Sequence, residues 1–100
     1  MVQINWTIAA RSDLRSIAIY ISKDSKNYAK IQVIRLKNRV DILNHYPLTG
    51  NVVPEFNRPK LRQLIEGNYR IIYKIVNDNR IDILTVHHSA RDLINRRIIS

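Results

Sequence analysis

The chain has no cysteine, which excludes a disulfide framework, a thiolate metal site and a cysteine nucleophile. That composition suits a reducing compartment, and cytoplasm is the expected location. No stretch approaches the ~18 consecutive apolar residues of a membrane span, and the start MVQINWTIAARSDL lacks the pattern of an export signal. No membrane partner is expected. Acidic residues are scarce: 8 Asp+Glu stand against 17 Lys+Arg, a net charge of +9. Such an excess attracts polyanions or acidic proteins and says little about fold. Eleven of the cations are arginine, whose planar fork suits phosphates and carboxylates.

Proline and glycine are few and concentrated. Pro47, Pro54 and Pro59 fall with Gly50 in YPLTGNVVPEFNRPK, which reads as a long surface loop. Long ordered loops in compact domains are often functional. The polar candidates in this one are Glu55, Arg58 and Lys60.

What remains is 100 residues with 45% hydrophobic content, enough for one domain over residues 1–100 with a single core. The alternation of Val2, Ile4 and Trp6 indicates an initial strand, and Thr7 can cap a helix over Ile8 to Ser22. Ala10, Leu14, Ile17, Ala18 and Ile21 recur three and four apart on one face of that helix, with Arg11, Arg15 and Lys23 off the stripe. Asp24 or Ser25 can cap a second, longer helix, in which Ala29, Val33, Leu36, Val40 and Leu43 repeat up to Pro47. The short turn between them predicts an antiparallel helical hairpin. Ile31, Ile34 and Ile42 widen the second helix's apolar surface beyond one stripe, either because it is well buried or because it awaits a partner.

After the loop, LRQLI, NYRIIYKIV and RIDILTVHH are separated by turn residues and predict a three-stranded antiparallel meander. The expected fold is α+β, with the helices packed on one face of the sheet. A turn at Asp78-Asn79 sets Val76 opposite Ile81. One face then carries Tyr69, Ile71, Tyr73, Ile75, Leu84, Val86 and His88, and the other Arg70, Ile72, Lys74, Val76, Ile81, Ile83, Thr85 and His87. A three-residue turn at Glu66-Gly67-Asn68 adds Arg62 to the second face. It is preferred because a two-residue turn would send an unpaired guanidinium inward. The expected polar cluster is Arg62, Arg70, Lys74 and His87, with His88 and Arg91 at its edge and the Glu55 loop folding over it. The closing SARDLINRRIIS reads either as a short helix or as a frayed end.

Arginines beside a histidine suit phosphodiester chemistry, in which guanidinium stabilises developing charge and imidazole moves a proton. Adjacent strand residues point to opposite faces, so His87 and His88 cannot serve one substrate atom or one metal. No metal and no cofactor are expected.

The chain as a whole resembles the RelE/ParE superfamily of toxins from bacterial type II toxin-antitoxin modules. The resemblance is carried by INWTIAARSDLRSIAIYISKDSKNYA, by Pro47 and Gly50, by Val53-Pro54-Glu55, by LRQLIEGNYRIIYKIV and by IDILTVHHSARDL, in order over nearly the full length. It implies a toxin held inactive by a cognate antitoxin with an acidic toxin-binding segment, for which Ile31, Ile34 and Ile42 are candidate contacts. VPEF, LRQLIEGNYRIIYKI and ILTVHHSARDL look closer to the ParE branch, whose members poison DNA gyrase. In that case the basic face Arg62, Arg70, Lys74, His87 and Arg91 would meet the target. The alternative is a ribosome-dependent mRNA endoribonuclease of the RelE or YoeB kind, onto which Glu55, Arg62, Arg70, His87 and His88 would be laid as catalytic residues. No tyrosine follows Tyr73, a departure from both ribonuclease patterns. A non-toxic module that binds an acidic partner is a third reading.

Overall fold

The computed structural model describes residues 1–89. Arg91 and the closing segment SARDLINRRIIS beyond Ser89 lie outside the described residues. In chain order the elements are β1 (Gln3–Trp6), α1 (Ile8–Ser22), α2 (Lys26–Asp41), a 3-10 turn (Ile42–Asn44), β2 (Asn51–Val52), β3 (Leu61–Glu66), β4 (Tyr69–Asn77) and β5 (Arg80–His88).

Local chemistry sets both helix starts. The Thr7 hydroxyl accepts the Ala10 N–H at 3.2 Å, and the Ser25 hydroxyl accepts the Tyr28 N–H at 3.0 Å, so each satisfies one of the amides that a first turn leaves unpaired. Ala10 and Leu14 from α1, and Leu36 and Val40 from α2, then pack with Leu64, Ile71, Tyr73, Ile81, Ile83 and Val86 of the sheet. The hairpin lies on one face of the sheet, as the alternation predicts.

The sheet is larger than a three-stranded meander. It has five strands in the order β1-β5-β4-β3-β2, because β1 joins β5 in parallel and β2 extends the other side. Parallel pairing of the first strand with the last is a long-range choice that strand periodicity does not encode. β1 covers only the first part of β5, from Arg80 to Ile83. Beyond it, the Thr7 N–H and hydroxyl both donate to the Ile83 carbonyl, at 3.2 and 2.6 Å. The Asp13 carboxylate then accepts the Thr85 hydroxyl at 2.6 Å and the Val86 N–H at 3.0 Å. Side chains from the start of α1 thus serve sheet-edge groups that no described strand reaches.

Two register expectations are corrected. Tyr73 pairs with Ile83 while Ile72 pairs with Thr85, so Leu84 is bulged out of the ladder; Ile75, not Val76, lies opposite Ile81. One extra residue reverses which face the following side chains occupy. Ile81 and Ile83 therefore join the helix-side core, and Leu84 joins Val53, Leu61 and Ile72 in a second cluster with Phe56 against it. The β3–β4 turn is also the two-residue form, since Glu66 pairs with Tyr69. Gly67 there has φ +58°, a conformation that only glycine enters at little cost.

The second cluster exists because the 53–60 loop folds back over the sheet's outer face. The Val53 carbonyl accepts the Phe56 and Asn57 N–H groups, and the Val53 N–H donates to the Leu61 carbonyl. The sheet is covered on both sides, by helices on one and by this loop on the other.

Candidate functional site

Folding the loop over the outer face brings Glu55 to Arg70. The guanidinium donates to both carboxylate oxygens, Nη1 to Oε2 at 2.6 Å and Nη2 to Oε1 at 2.8 Å, while Nε donates to Gln63 Oε1 at 2.8 Å. A forked donor facing a planar acceptor is the strongest form of this contact. It is largely shielded, with 11% of the Arg70 side chain and 24% of the Glu55 side chain exposed. The hydrogen-bonded guanidinium holds the Glu55 carboxyl below its ordinary range, against the opposing effect of burial, and Glu55 raises Arg70 in return.

His87 lies directly across from Arg70 on β5 and is only 2% exposed. His88 falls on the other face, opposite Tyr69, with the two rings edge to face at 5.6 Å between centroids. His88 lines a cavity of about 420 Å³ with Asp13, Ile17, Tyr20 and Tyr69. The two histidines have separate surroundings.

Arg62 does not join this group. The two-residue turn places it across from Tyr73, on the side expected to be too costly for a guanidinium. That expectation assumed an unpaired group. The loop instead supplies carbonyl acceptors, since Arg62 Nε donates to Pro59 O and Nη1 to Gly50 O, each at 2.9 Å.

Lys74 lines a separate recess of about 480 Å³ with Arg58, Pro59, Lys60 and Leu61. This gathers three cations from the loop and β4 around a small apolar floor. Ile31 and Ile34 on α2, and Ile42 in the 3-10 turn that follows it, remain 37%, 49% and 38% exposed. No group of three His, Asp or Glu side chains positioned to hold a metal ion is found among the described residues, and no described helix is long and apolar enough to cross a membrane. Gln63, the second partner of Arg70, was missed by sequence reasoning because the assumed three-residue turn put it on the wrong face. Asp13 was missed because an acidic residue on a helix gives no sign of the strand it will serve.

The Glu55–Arg70 pair has a pH signature. A carboxyl whose pKa is depressed on folding stabilises the protein above its unfolded value, and that contribution is lost as pH falls through the folded value. The ordinary Glu55 value is 4.5, so the loss should develop below about that pH. Urea unfolding from roughly pH 7 down to pH 3 should show wild type and Glu55→Gln converging in stability on acidification. A gap that stays constant would show that the ion pair contributes nothing.

The fold and its outer face define a small basic α+β protein of the RelE/ParE kind. Residues 4–93 match the family model for the ParE toxin of type II toxin-antitoxin system, parDE, and the chain belongs to that family. A Sinorhizobium fredii (strain NBRC 101917 / NGR234) protein, "Putative toxin Y4kP", is 36% identical over 93 residues, covering 87% of this chain and 88% of its own. Among solved structures, one titled as the chromosomal ParDE TA system from P. aeruginosa superposes with a TM-score of 0.72 at 23% identity, covering 88% of this chain and 96% of that one. The YoeB dimer from Staphylococcus aureus gives 0.52 at 20% identity, over 87% and 95%. At those identities the superpositions speak to the fold alone. As a toxin of a type II module, the protein has a cognate antitoxin as its partner.

Proposed function

We propose that this toxin acts by binding DNA gyrase, and that it does not cut RNA. The observation that carries the reading is how the outer-face polar groups are engaged. A general base must present a carboxylate to substrate, and a phosphate-stabilising arginine must present donors to it. Here Glu55 and Arg70 meet each other in a shielded bidentate pair, Arg70 also engages Gln63, and His87 is buried beside them. The depressed Glu55 pKa makes it a weak proton acceptor at neutral pH. The group that a ribonuclease would use serves here as a clamp between loop and sheet.

On the outer face, the cationic recess of Arg58, Lys60 and Lys74 is the surface offered to a target. The antitoxin is assigned to Ile31 and Ile34 on α2 and Ile42 just after it, whose exposed apolar surface suits a covering segment. Purified toxin should inhibit gyrase supercoiling and accumulate cleaved plasmid, and Lys60→Glu with Lys74→Glu should weaken both by about tenfold or more. Untouched supercoiling together with cuts in translated mRNA would overturn the reading.

A further inference from the structure

The backbone beneath the outer-face recess is fixed before any ligand arrives. The Leu61 N–H donates to the Arg58 carbonyl at 3.0 Å, which closes a tight turn, and the Ile75 N–H donates to the Lys60 carbonyl at 2.9 Å, which ties that turn to β4. Arg62 Nε holds the Pro59 carbonyl between them at 2.9 Å. Three consecutive carbonyls are thus engaged, and little ordering is left for binding to impose. Leu61 pairs with Lys74, and Tyr73 and Ile75 on either side of Lys74 pack toward the helices, so the Lys74 side chain stands on the outer face. Arg58 and Lys60 are exposed and Lys74 is half-buried. The ion pairs among the described residues are Arg70–Glu55 and Arg80–Asp82, and neither uses one of these three cations. Asp82, across from Lys74 on β5, is already held by the Arg80 fork at 2.8 and 3.1 Å and by Asn5 Nδ2 at 3.1 Å.

We infer that this recess contacts duplex DNA through its phosphates, with Arg58, Lys60 and Lys74 as the neutralising groups; the setting, DNA held by gyrase, rests on the function proposed above. Three features favour phosphates over an acidic protein surface. No carboxylate stands among the described lining residues, Arg58, Pro59, Lys60, Leu61 and Lys74, so nothing there repels a phosphodiester backbone. No aromatic side chain is among them either, and Leu61 is only 3% exposed, so the recess lacks the apolar anchors that protein interfaces use. The third feature is dimension. From the start of β3 through β4 to β5, the row Lys60, Lys74 and Arg80 crosses roughly 10 Å at the usual strand spacing, and one DNA strand presents about three phosphates over that rise. Contacts of this kind position a duplex without reading its bases. A toxin that touches both gyrase and its DNA holds the assembled complex more tightly than either part alone.

The contact is measured without gyrase, by fluorescence anisotropy of a labelled duplex of about 20 base pairs at salt from about 50 to 200 mM. Wild type should bind, with log K falling against log salt at a slope of about −2.7 or steeper, the value for three phosphates. Lys60→Gln should make the slope shallower by about 0.9, and Lys60→Gln/Lys74→Gln by about 1.8. A duplex of scrambled sequence should bind equally well. Lys30→Gln/Arg35→Gln removes two exposed charges from α2 and controls for net charge, so its slope should match wild type. Circular dichroism and melting temperature check each fold, and Lys60→Gln, which alters an exposed side chain alone, keeps the test intact if the double variant unfolds. The double variant should bind DNA-free gyrase as wild type does while accumulating less cleaved plasmid. Duplex binding with the expected slopes, but no gyrase inhibition by wild type, would fault the function proposed above and leave the contact standing. Three results overturn the inference. The first is no duplex binding by wild type. The second is a slope that both recess variants leave unchanged, which together with lost binding to DNA-free gyrase would assign the recess to a protein surface. The third is an equal loss of slope in Lys30→Gln/Arg35→Gln.

Discussion

Arg70→Ala should lower the stability of the domain by about 3 kcal/mol, because it removes one partner of a shielded ion pair and leaves the other without its counter-charge. The loss is compounded, since the same guanidinium holds Gln63 on the neighbouring strand. An exposed pair would contribute less than about 1 kcal/mol. With the Arg70 side chain 11% exposed and that of Glu55 24% exposed, the pair lies between the surface and buried limits. Arg70→Lys should recover only part of the loss, as a point charge cannot meet two carboxylate oxygens and an amide oxygen in one plane. Urea unfolding at neutral pH measures both variants. Hydrogen exchange should show the 53–60 loop opening first, because the ion pair is its charged link to β4 beside the apolar packing of Val53 on Ile72. A loss below about 1 kcal/mol for Arg70→Ala would place the pair among ordinary surface contacts.

Gly50→Ala should cost about 2–3 kcal/mol by overpacking. A Cβ at this position would stand 2.5 Å from the Gln63 carbonyl oxygen and 2.7 Å from both Cε1 and the hydroxyl of Tyr73. None of these atoms gives way easily, since one is strand backbone and the others belong to a ring with no exposed surface. Gly50 is also the point where the loop is tied to the sheet. Its N–H donates to the Tyr73 hydroxyl at 2.9 Å, that hydroxyl donates to Pro47 O at 2.8 Å, and the Gly50 carbonyl accepts Arg62. Burial raises the Tyr73 pKa, so the hydroxyl stays neutral and keeps donating at any ordinary pH. Tyr73→Phe serves as the companion variant. It should cost about 1–3 kcal/mol by leaving a buried N–H and a carbonyl unpaired, without any clash. Thermal unfolding of the two variants separates crowding from lost hydrogen bonds, and a Gly50→Ala protein as stable as wild type would show that the backbone here yields readily.

These two sites also show what the sequence could and could not reveal. The span Ile8–Ser22 and its Thr7 cap were legible because apolar spacing and capping chemistry are local. The separation of His87 from His88 was legible because strand alternation alone dictates it. The bulge at Leu84 was not, since an inserted residue has no composition of its own and is chosen by which packing wins. That bulge moved Ile81 and Ile83 into the main core and Leu84 under the loop. Arg62 was misplaced for a related reason. Its inward position is made tolerable by the Gly50 and Pro59 carbonyls, which come from a segment that strand patterning treats as connection. Glu55 was legible as a candidate, but a carboxylate free to act and one clamped by arginine read the same in a sequence.

On the proposed function, Glu55 and Arg70 hold the fold together and perform no chemistry. This is tested most directly by replacing both with neutral side chains of similar size, Glu55→Gln with Arg70→Met. Removing both charges avoids the stranded partner that makes a single deletion so costly. A folded double variant should still inhibit gyrase supercoiling at doses within a few-fold of wild type. A folded double variant that no longer inhibits supercoiling or arrests growth, while wild type cuts translated mRNA, would contradict the account.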